Sequence, residues 1–219
     1  MKKIIIAAGV IMVVIAGGWT FCSISGMYKM YNIPTAANEP AIKVGSKIFA
    51  SNLKEAKNGD FIIYNYNGQS RIHRLVASEG DVLEIKNGAV YINSKDIDKG
   101  LVLLHVYTVT RAEAEKLSAK GSIAPEDALP MPDGRYGLYL DDAVAKENGL
   151  GTNRLITSEK EPDKYISETF IQPWNKDNFG PYTIPANKVF VMGDNRDNSE
   201  DSRYLGCIDK SNIIATVLK

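Results

Sequence analysis

Val189-Phe190-Val191-Met192-Gly193-Asp194-Asn195-Arg196-Asp197-Asn198-Ser199-Glu200-Asp201-Ser202-Arg203 runs from four apolar residues into eleven that are polar, charged or glycine. A short apolar run with β-branched and aromatic side chains reads as a buried strand. The block after it carries Asp194, Arg196, Asp197, Glu200, Asp201 and Arg203. Charges so close to a buried strand must find partners, because desolvating an unpaired charge is costly. Asp201 and Arg203, two apart, are spaced to pair with each other. The stretch therefore reads as a strand that delivers polar side chains into a site.

Composition bounds the rest. The 219 residues are 44% hydrophobic, enough for a packed core, and 26 basic residues balance 26 acidic ones. With no net field to draw in a polyanion, nucleic acid is not expected as a partner. Cys22 and Cys207 are the two cysteines and supply neither a disulfide framework nor a metal cluster. Asp194, Arg196 and Asp197 lack the glycine and the twelfth-position glutamate of a calcium loop, where Leu205 stands instead. Neither a metal nor a cofactor is expected.

At the amino terminus, Lys2 and Lys3 precede an uncharged run from Ile4 to Trp19, extended by Thr20, Phe21 and Cys22. That matches the roughly 20 residues that span a bilayer. A cleavable signal ends in small residues, whereas Trp19-Thr20-Phe21 is bulky, so the run reads as an uncleaved transmembrane anchor. Phe21 also argues against a lipoprotein role for Cys22. The positive-inside tendency keeps Lys2 and Lys3 in the cytoplasm and puts everything after about Tyr28 on the outer, periplasmic or extracellular, face of the inner or cytoplasmic membrane.

Beyond the anchor, Ser46 to Ala50, Phe61 to Tyr66, Arg71 to Ala77, Val82 to Ile85 and Val90 to Ile92 are apolar or alternating runs, which read as strands. Asn67-Gly68 and Asn87-Gly88 between them favour tight hairpins, hence antiparallel pairing. Thr110-Arg111-Ala112-Glu113 reads as a capping box opening a helix that Gly121 closes. The expected organisation is an anchor over 1–27, a β body over 28–99 and 175–219, and an inserted α/β subdomain over 100–174.

The block from Gly193 to Arg203 resembles the last box of the type I signal peptidases, membrane-bound serine endopeptidases, over eleven consecutive positions. Gly59-Asp60-Phe61-Ile62-Ile63-Tyr64 is similar to that family's Gly-Asp-apolar strand. Gly80-Asp81 followed by Gly88-Ala89-Val90-Tyr91-Ile92-Asn93 is similar to its next hairpin, and Asn178-Phe179-Gly180-Pro181 to the approach to the last box. Each is weak singly, and their order is the stronger signal. The resemblance implies a mainly β, antiparallel signal-peptidase-like catalytic fold interrupted by the insertion and preceded by one transmembrane helix. It also implies signal peptides of exported preproteins and the membrane as partners, and cleavage after Ala-x-Ala as the reaction.

That family keeps its nucleophile in Ile-Pro-Ser-x-Ser-Met-x-Pro, where the second serine attacks the scissile carbonyl. Ile33-Pro34-Thr35-Ala36-Ala37-Asn38-Glu39-Pro40 aligns on its two prolines without a gap. Ala37 then takes the nucleophile position, Asn38 that of the methionine, and Thr35 that of the hydroxyl that helps bind the oxyanion. A methyl group cannot attack a carbonyl. Because Asn38 departs as well as Ala37, natural divergence is a simpler account than an engineered replacement.

The family's bacterial members place their general base, a lysine, in a Lys-Arg-apolar strand. The strand here is Arg71-Ile72-His73-Arg74-Leu75, and His73 is similar to the base of the endoplasmic-reticulum branch. An imidazole needs little tuning to serve as a base near neutrality. A lone strand histidine is equally read as a packed residue, and both readings stand. His105, within Leu103-Leu104-His105-Val106, reads as structural. The resemblance further implies that Ser199 hydrogen-bonds the base and that Asp201 and Arg203 brace the floor of the site.

Losing the serine of a comparable protease costs roughly a million-fold in turnover. Thr35 lies two residues from the aligned position, and errors of ~1 Å already cost about a hundred-fold. The expectation is a membrane-anchored homologue that binds signal peptides and is inactive or strongly impaired. The alternatives are a working endopeptidase with Thr35 as nucleophile and His73 as base, and an accessory protein whose partner docks on residues 100–174.

Overall fold

A computed structural model describes residues 2–124 and 127–218, apart from the side chains of 2–10 and 22. The chain opens with α1 (Lys2–Ile24). Its described side chains between Ile11 and Phe21 are exposed, Val13 at 72% and Trp19 at 51% among them. Among the described residues no helix is long and apolar enough to cross a membrane, and part of the expected anchor lies outside them. At the foot of α1, Trp19 packs edge-on against Tyr28 at 6.0 Å, and Tyr28 stacks on Phe49 at 5.2 Å.

The body starts with the antiparallel pair β1 (Lys29–Asn32) and β2 (Lys47–Ser51). β3 (Phe61–Tyr66) and β4 (Gln69–Ser78) follow, joined by Asn67 and Gly68 at φ of 51° and 80°. Two successive left-handed residues are what a two-residue hairpin turn needs to match strand twist, and Asn-Gly supplies them at low cost. Asn87 and Gly88 form the same turn between β5 (Val82–Lys86) and β6 (Ala89–Ile92). The first turn sets Ile62 opposite His73 and Tyr64 opposite Arg71. Strand side chains alternate faces, so these four share one face while Ile63 and Ile72 take the other.

The later strands are β7 (Lys95–Asp96), β8 (Leu104–Val109), β9 (Leu129–Pro130), β10 (Tyr136–Asp141), β11 (Phe179–Thr183), β12 (Lys188–Met192), β13 (Ile208–Asp209) and β14 (Ile213–Val217). They complete a seven-stranded sheet ordered β1-β2-β14-β3-β4-β12-β13, a four-stranded sheet β11-β5-β6-β7 and a three-stranded sheet β8-β10-β9. The mainly antiparallel β architecture expected from the turns is the one observed. β12 carries the Val189-Phe190-Val191-Met192 run. Phe190 and Met192 pack with Leu83, Val90 and Phe179 of the four-stranded sheet, while Val189 and Val191 pack with Ile62, Tyr64 and Leu75. Burial on both faces is why that run does not alternate.

Between β8 and β10, α2 (Arg111–Ala119) begins at the capping box: Thr110 N donates to Glu113 Oε2 at 2.7 Å, and Glu113 N to Thr110 Oγ1 at 3.3 Å. With the three-stranded sheet and α3 (Asp142–Glu147), it closes a separate core of Tyr107, Leu117, Leu138, Leu140 and Leu150. α4 (Lys164–Phe170), though within the span expected as an insertion, buries Ile166 in the core of the body beside Phe179 and Phe190. There Phe170 meets Phe179 edge-on at 4.7 Å and Trp174 packs tilted against it at 4.5 Å. Inside the polar block, Ser202–Leu205 forms the short α5, capped by Asp201, a helix the polar run did not announce.

Candidate functional site

The segment joining β1 to β2 is folded back on its own ends. Ile33 N donates to Ser46 O at 3.0 Å, Gly45 N donates to Ile33 O at 2.8 Å, and Ile33 and Ile42 are buried beneath it. This brings residues 31–38 against the start of β4 and leaves a cleft of about 550 Å³ between them. The cleft is lined by residues 31–38, by 69–73 of β4, and by Asn198 and Glu200 of the polar block. Three of the sequence-predicted positions, Thr35, Ala37 and His73, therefore share one cavity. Thr35 is exposed there and Ala37 half-buried.

The loop that carries Ala37 is gripped from behind. Asn195 N donates to Ala37 O at 3.1 Å and Asn195 Nδ2 to Ala36 O at 3.2 Å. The buried Asn38 donates through Nδ2 to Ile72 O at 2.7 Å, tying the loop to β4 one residue from His73. Gly193 makes the contact feasible: a Cβ there would lie 2.3 Å from Ala37 O and 2.4 Å from Ser199 Oγ. Only a residue without a side chain lets the block approach this closely.

His73 is 4% exposed, and its Nδ1 lies 2.8 Å from the hydroxyl of the fully buried Tyr64. Burial lowers its pKa to about 4; Asp201 opposes that shift, while Arg71 and Arg203 add to it. The ring is thus neutral at pH 7. Burial, and next Asp201, push the Tyr64 phenol above its ordinary value. Tyr64 was not singled out from sequence. Its signal was the Asn67-Gly68 turn, which fixes the register of β3 against β4 and so puts Tyr64 and His73 on one face.

Behind the cleft, Asp201 and Arg203 pair as expected. Arg203 Nε donates to Asp201 Oδ1 at 2.9 Å and Nη2 to Oδ2 at 2.8 Å, with both residues buried. Burial alone would raise the Asp201 carboxyl, but the Arg203 guanidinium outweighs it and holds it below the usual carboxylate range. Gly193 N also donates to Asp201 Oδ2, at 3.0 Å, and Arg203 Nη2 donates to Arg196 O at 2.6 Å. Ser199 does not do what the resemblance implied: its Oγ is buried and makes no hydrogen bond among the described residues, while His73 Nδ1 is taken by Tyr64.

The remaining charges of the block find partners far along the chain. Asp194 pairs with Arg74, Arg196 with Asp98 and Asp197 with Lys176, while Glu200 meets Arg71 at the rim of the cleft. Leu104 N donates to Asp194 O at 2.9 Å, Arg196 N to Leu104 O at 2.9 Å, and Val106 N to Asp197 Oδ2 at 2.8 Å, so β8 is bolted onto the block. His105 lies away from the cleft with Nδ1 on Asp142 at 2.8 Å. Among the described residues no group of histidine, cysteine or carboxylate side chains is placed to hold a metal ion.

The model of the family described as signal peptidase, peptidase S26, matches residues 2–218. A signal peptidase I of Aquifex aeolicus (strain VF5) is 30% identical over 194 residues, covering 84% of this chain and 71% of that relative. The signal peptidase I S of Bacillus subtilis (strain 168) is 26% identical over 184 residues, covering 84% of this chain and 67% of its own length. Among solved structures, a signal peptidase I from Enterococcus faecalis V583 is 19% identical, covers 76% of this chain and 98% of its own, and superposes with a TM-score of 0.38.

Proposed function

The chain belongs to the type I signal peptidase family, and from that membership we propose that it is a membrane-anchored member that holds the signal-peptide region of exported preproteins in its cleft without cleaving it. The observation that carries this reading is the pairing of Ala37 and His73 along one cavity. Where the family supplies an attacking oxygen, this chain presents a methyl group. The one hydroxyl hydrogen-bonded to His73 among the described residues belongs to Tyr64, which has no exposed surface and cannot reach a peptide. The Asp201–Arg203 floor and the grip of Asn195 on the Ala37 loop are in place, which supports a groove that keeps its shape although the acyl-transfer chemistry is gone.

The anchor is α1, with Lys2 and Lys3 in the cytoplasm, the chain crossing once, and the body on the outer face. The exposed apolar side chains of α1 and the Trp19, Tyr28 and Phe49 stack at its foot support this placement, since amphipathic aromatic rings favour the membrane–water interface.

Incubating the full chain with a preprotein bearing an Ala-x-Ala exit tests the reading. The expected result is no mature product, with retention of a fluorescent signal peptide measured by anisotropy. Turnover abolished by His73→Ala would overturn it, and turnover abolished also by Thr35→Val would point to a threonine nucleophile.

A further inference from the structure

The Tyr64 hydroxyl has a single hydrogen-bond partner among the described residues, Nδ1 of His73, and the residue has no exposed surface through which solvent could serve instead. A phenol carries one proton to donate, and a buried donor left without an acceptor is costly. The Tyr64 proton is therefore directed at Nδ1. A neutral imidazole has one N–H and one lone pair. With the lone pair at Nδ1 engaged, the ring proton sits on Nε2, which makes no hydrogen bond among the described residues and belongs to a side chain lining the cleft.

We propose that Tyr64 holds His73 in the Nε2–H tautomer, so that the ring offers the cleft a neutral hydrogen-bond donor for a carbonyl oxygen of a bound peptide. A general base would need the opposite arrangement, a bare Nε2 to receive the proton of an attacking hydroxyl. That tautomer would have Nδ1–H donating to the Tyr64 oxygen and would strand the phenol proton in the core. Ala37 and the Tyr64–His73 pair then amount to one coherent departure: the attacking atom is absent, and the group that would activate it is turned into a donor. Burial, which keeps the ring neutral, acts in the same direction, because a doubly protonated ring would aim an N–H at the phenol proton. The proposal rests on the reading of the cleft as a peptide groove.

The chain has two histidines, so nitrogen-15 NMR of ring-labelled full-length protein in detergent resolves both, and His73→Gln identifies the signals of His73. At pH 7, Nε2 is expected to carry the directly bonded proton and Nδ1 to be proton-free. Tyr64→Phe, which keeps the buried ring, is expected to move the proton-free Nδ1 resonance downfield, because its lone pair loses the hydrogen bond from the phenol. A proton on Nδ1 with a bare Nε2 in the unaltered protein overturns the proposal, as does a Tyr64→Phe spectrum identical to it. Adding a synthetic peptide that spans an Ala-x-Ala signal segment is expected to shift the Nε2–H proton downfield. A peptide that binds and leaves that proton unmoved overturns the donor role. A peptide that fails to bind at all counts against the peptide-groove reading while the unliganded spectrum still decides the tautomer.

Discussion

Arg74 and Asp194 close a two-point pair between β4 and the polar block, Nε to Oδ1 at 2.7 Å and Nη2 to Oδ2 at 2.5 Å, joining strand and block over 120 residues of chain. The same guanidinium donates through Nη1 to Gly59 O at 2.7 Å and lies over the Phe61 ring at 4.2 Å. Arg74 follows His73 directly, so this pair fixes where β4 presents the imidazole relative to the block that grips Ala37.

Arg74→Met is expected to leave the Asp194 carboxylate, 2% exposed, without its partner. Breaking a buried pair from one side costs about 3–5 kcal/mol, which lowers Tm on the order of 10 °C for a domain of this size. Arg74→Met combined with Asp194→Leu is expected to cost less than Arg74→Met alone. Thermal unfolding followed by circular dichroism checks both, and a single variant as stable as the parent would count against the pair.

Gly193→Ala is expected to abolish signal-peptide binding and to destabilise by at least ~1–3 kcal/mol, the usual cost of overpacking. Its methyl would meet Ala37 O at 2.3 Å, and that oxygen belongs to backbone that cannot rotate away. Gly151→Ala, where the nearest atom lies 4.0 Å off, is the control and is expected to behave as the parent. Peptide anisotropy alongside a denaturant titration reads both quantities.

Acid is expected to weaken the fold through His73. Unfolded, the ring takes up a proton near pH 6.5; folded, it does so only at about 4. The unfolded state thus binds more protons between those values, so stability is complete above pH 6.5 and falls as pH drops toward 4. Urea midpoints measured across that window are expected to decline for the parent and to decline less for His73→Gln.

Ala37→Ser is expected to restore at most slow cleavage on its own, because an Nε2–H ring cannot take the serine proton. Adding His73→Lys replaces that ring with an amine that can take the proton once neutral, and the double variant is expected to cleave severalfold faster. Preprotein processing followed by gel decides it, and a double variant no faster than Ala37→Ser would oppose the assigned tautomer.

Thr110→Ala removes the cap of α2 and is expected to cost ~1 kcal/mol. Because α2 packs within the separate core of Tyr107, Leu117 and Leu138, exchange of backbone amides is expected to speed up there first and to leave β3 and β4 protected.

The parts of this molecule legible in its sequence are those set by neighbours in the chain. Asn67-Gly68 and Asn87-Gly88 dictate their hairpins through backbone angles alone, Thr110 and Glu113 satisfy each other within one helical turn, and Asp201 and Arg203 pair across two residues. What stayed hidden depends on distant register. Tyr64 meets His73 only once β3 and β4 are aligned, and Arg74 finds Asp194 only after β12 docks beside β4. The role of α4 was obscured by the charged, turn-rich run before it, although Ile166, Phe170 and Trp174 supply the apolar surface that joins it to Phe179. Ser199 shows the limit of transferred roles: among the described residues its buried hydroxyl makes no bond to the base, and the hydroxyl on the imidazole is that of Tyr64.

The hold of Asn195 on the Ala36 and Ala37 carbonyls has a kinetic corollary. A wall already immobilised by folding loses little further entropy when a ligand arrives, so complex formation is spared much of the usual ordering penalty. Slackening that hold, as Asn195→Ala would, should shorten residence time more than it slows capture.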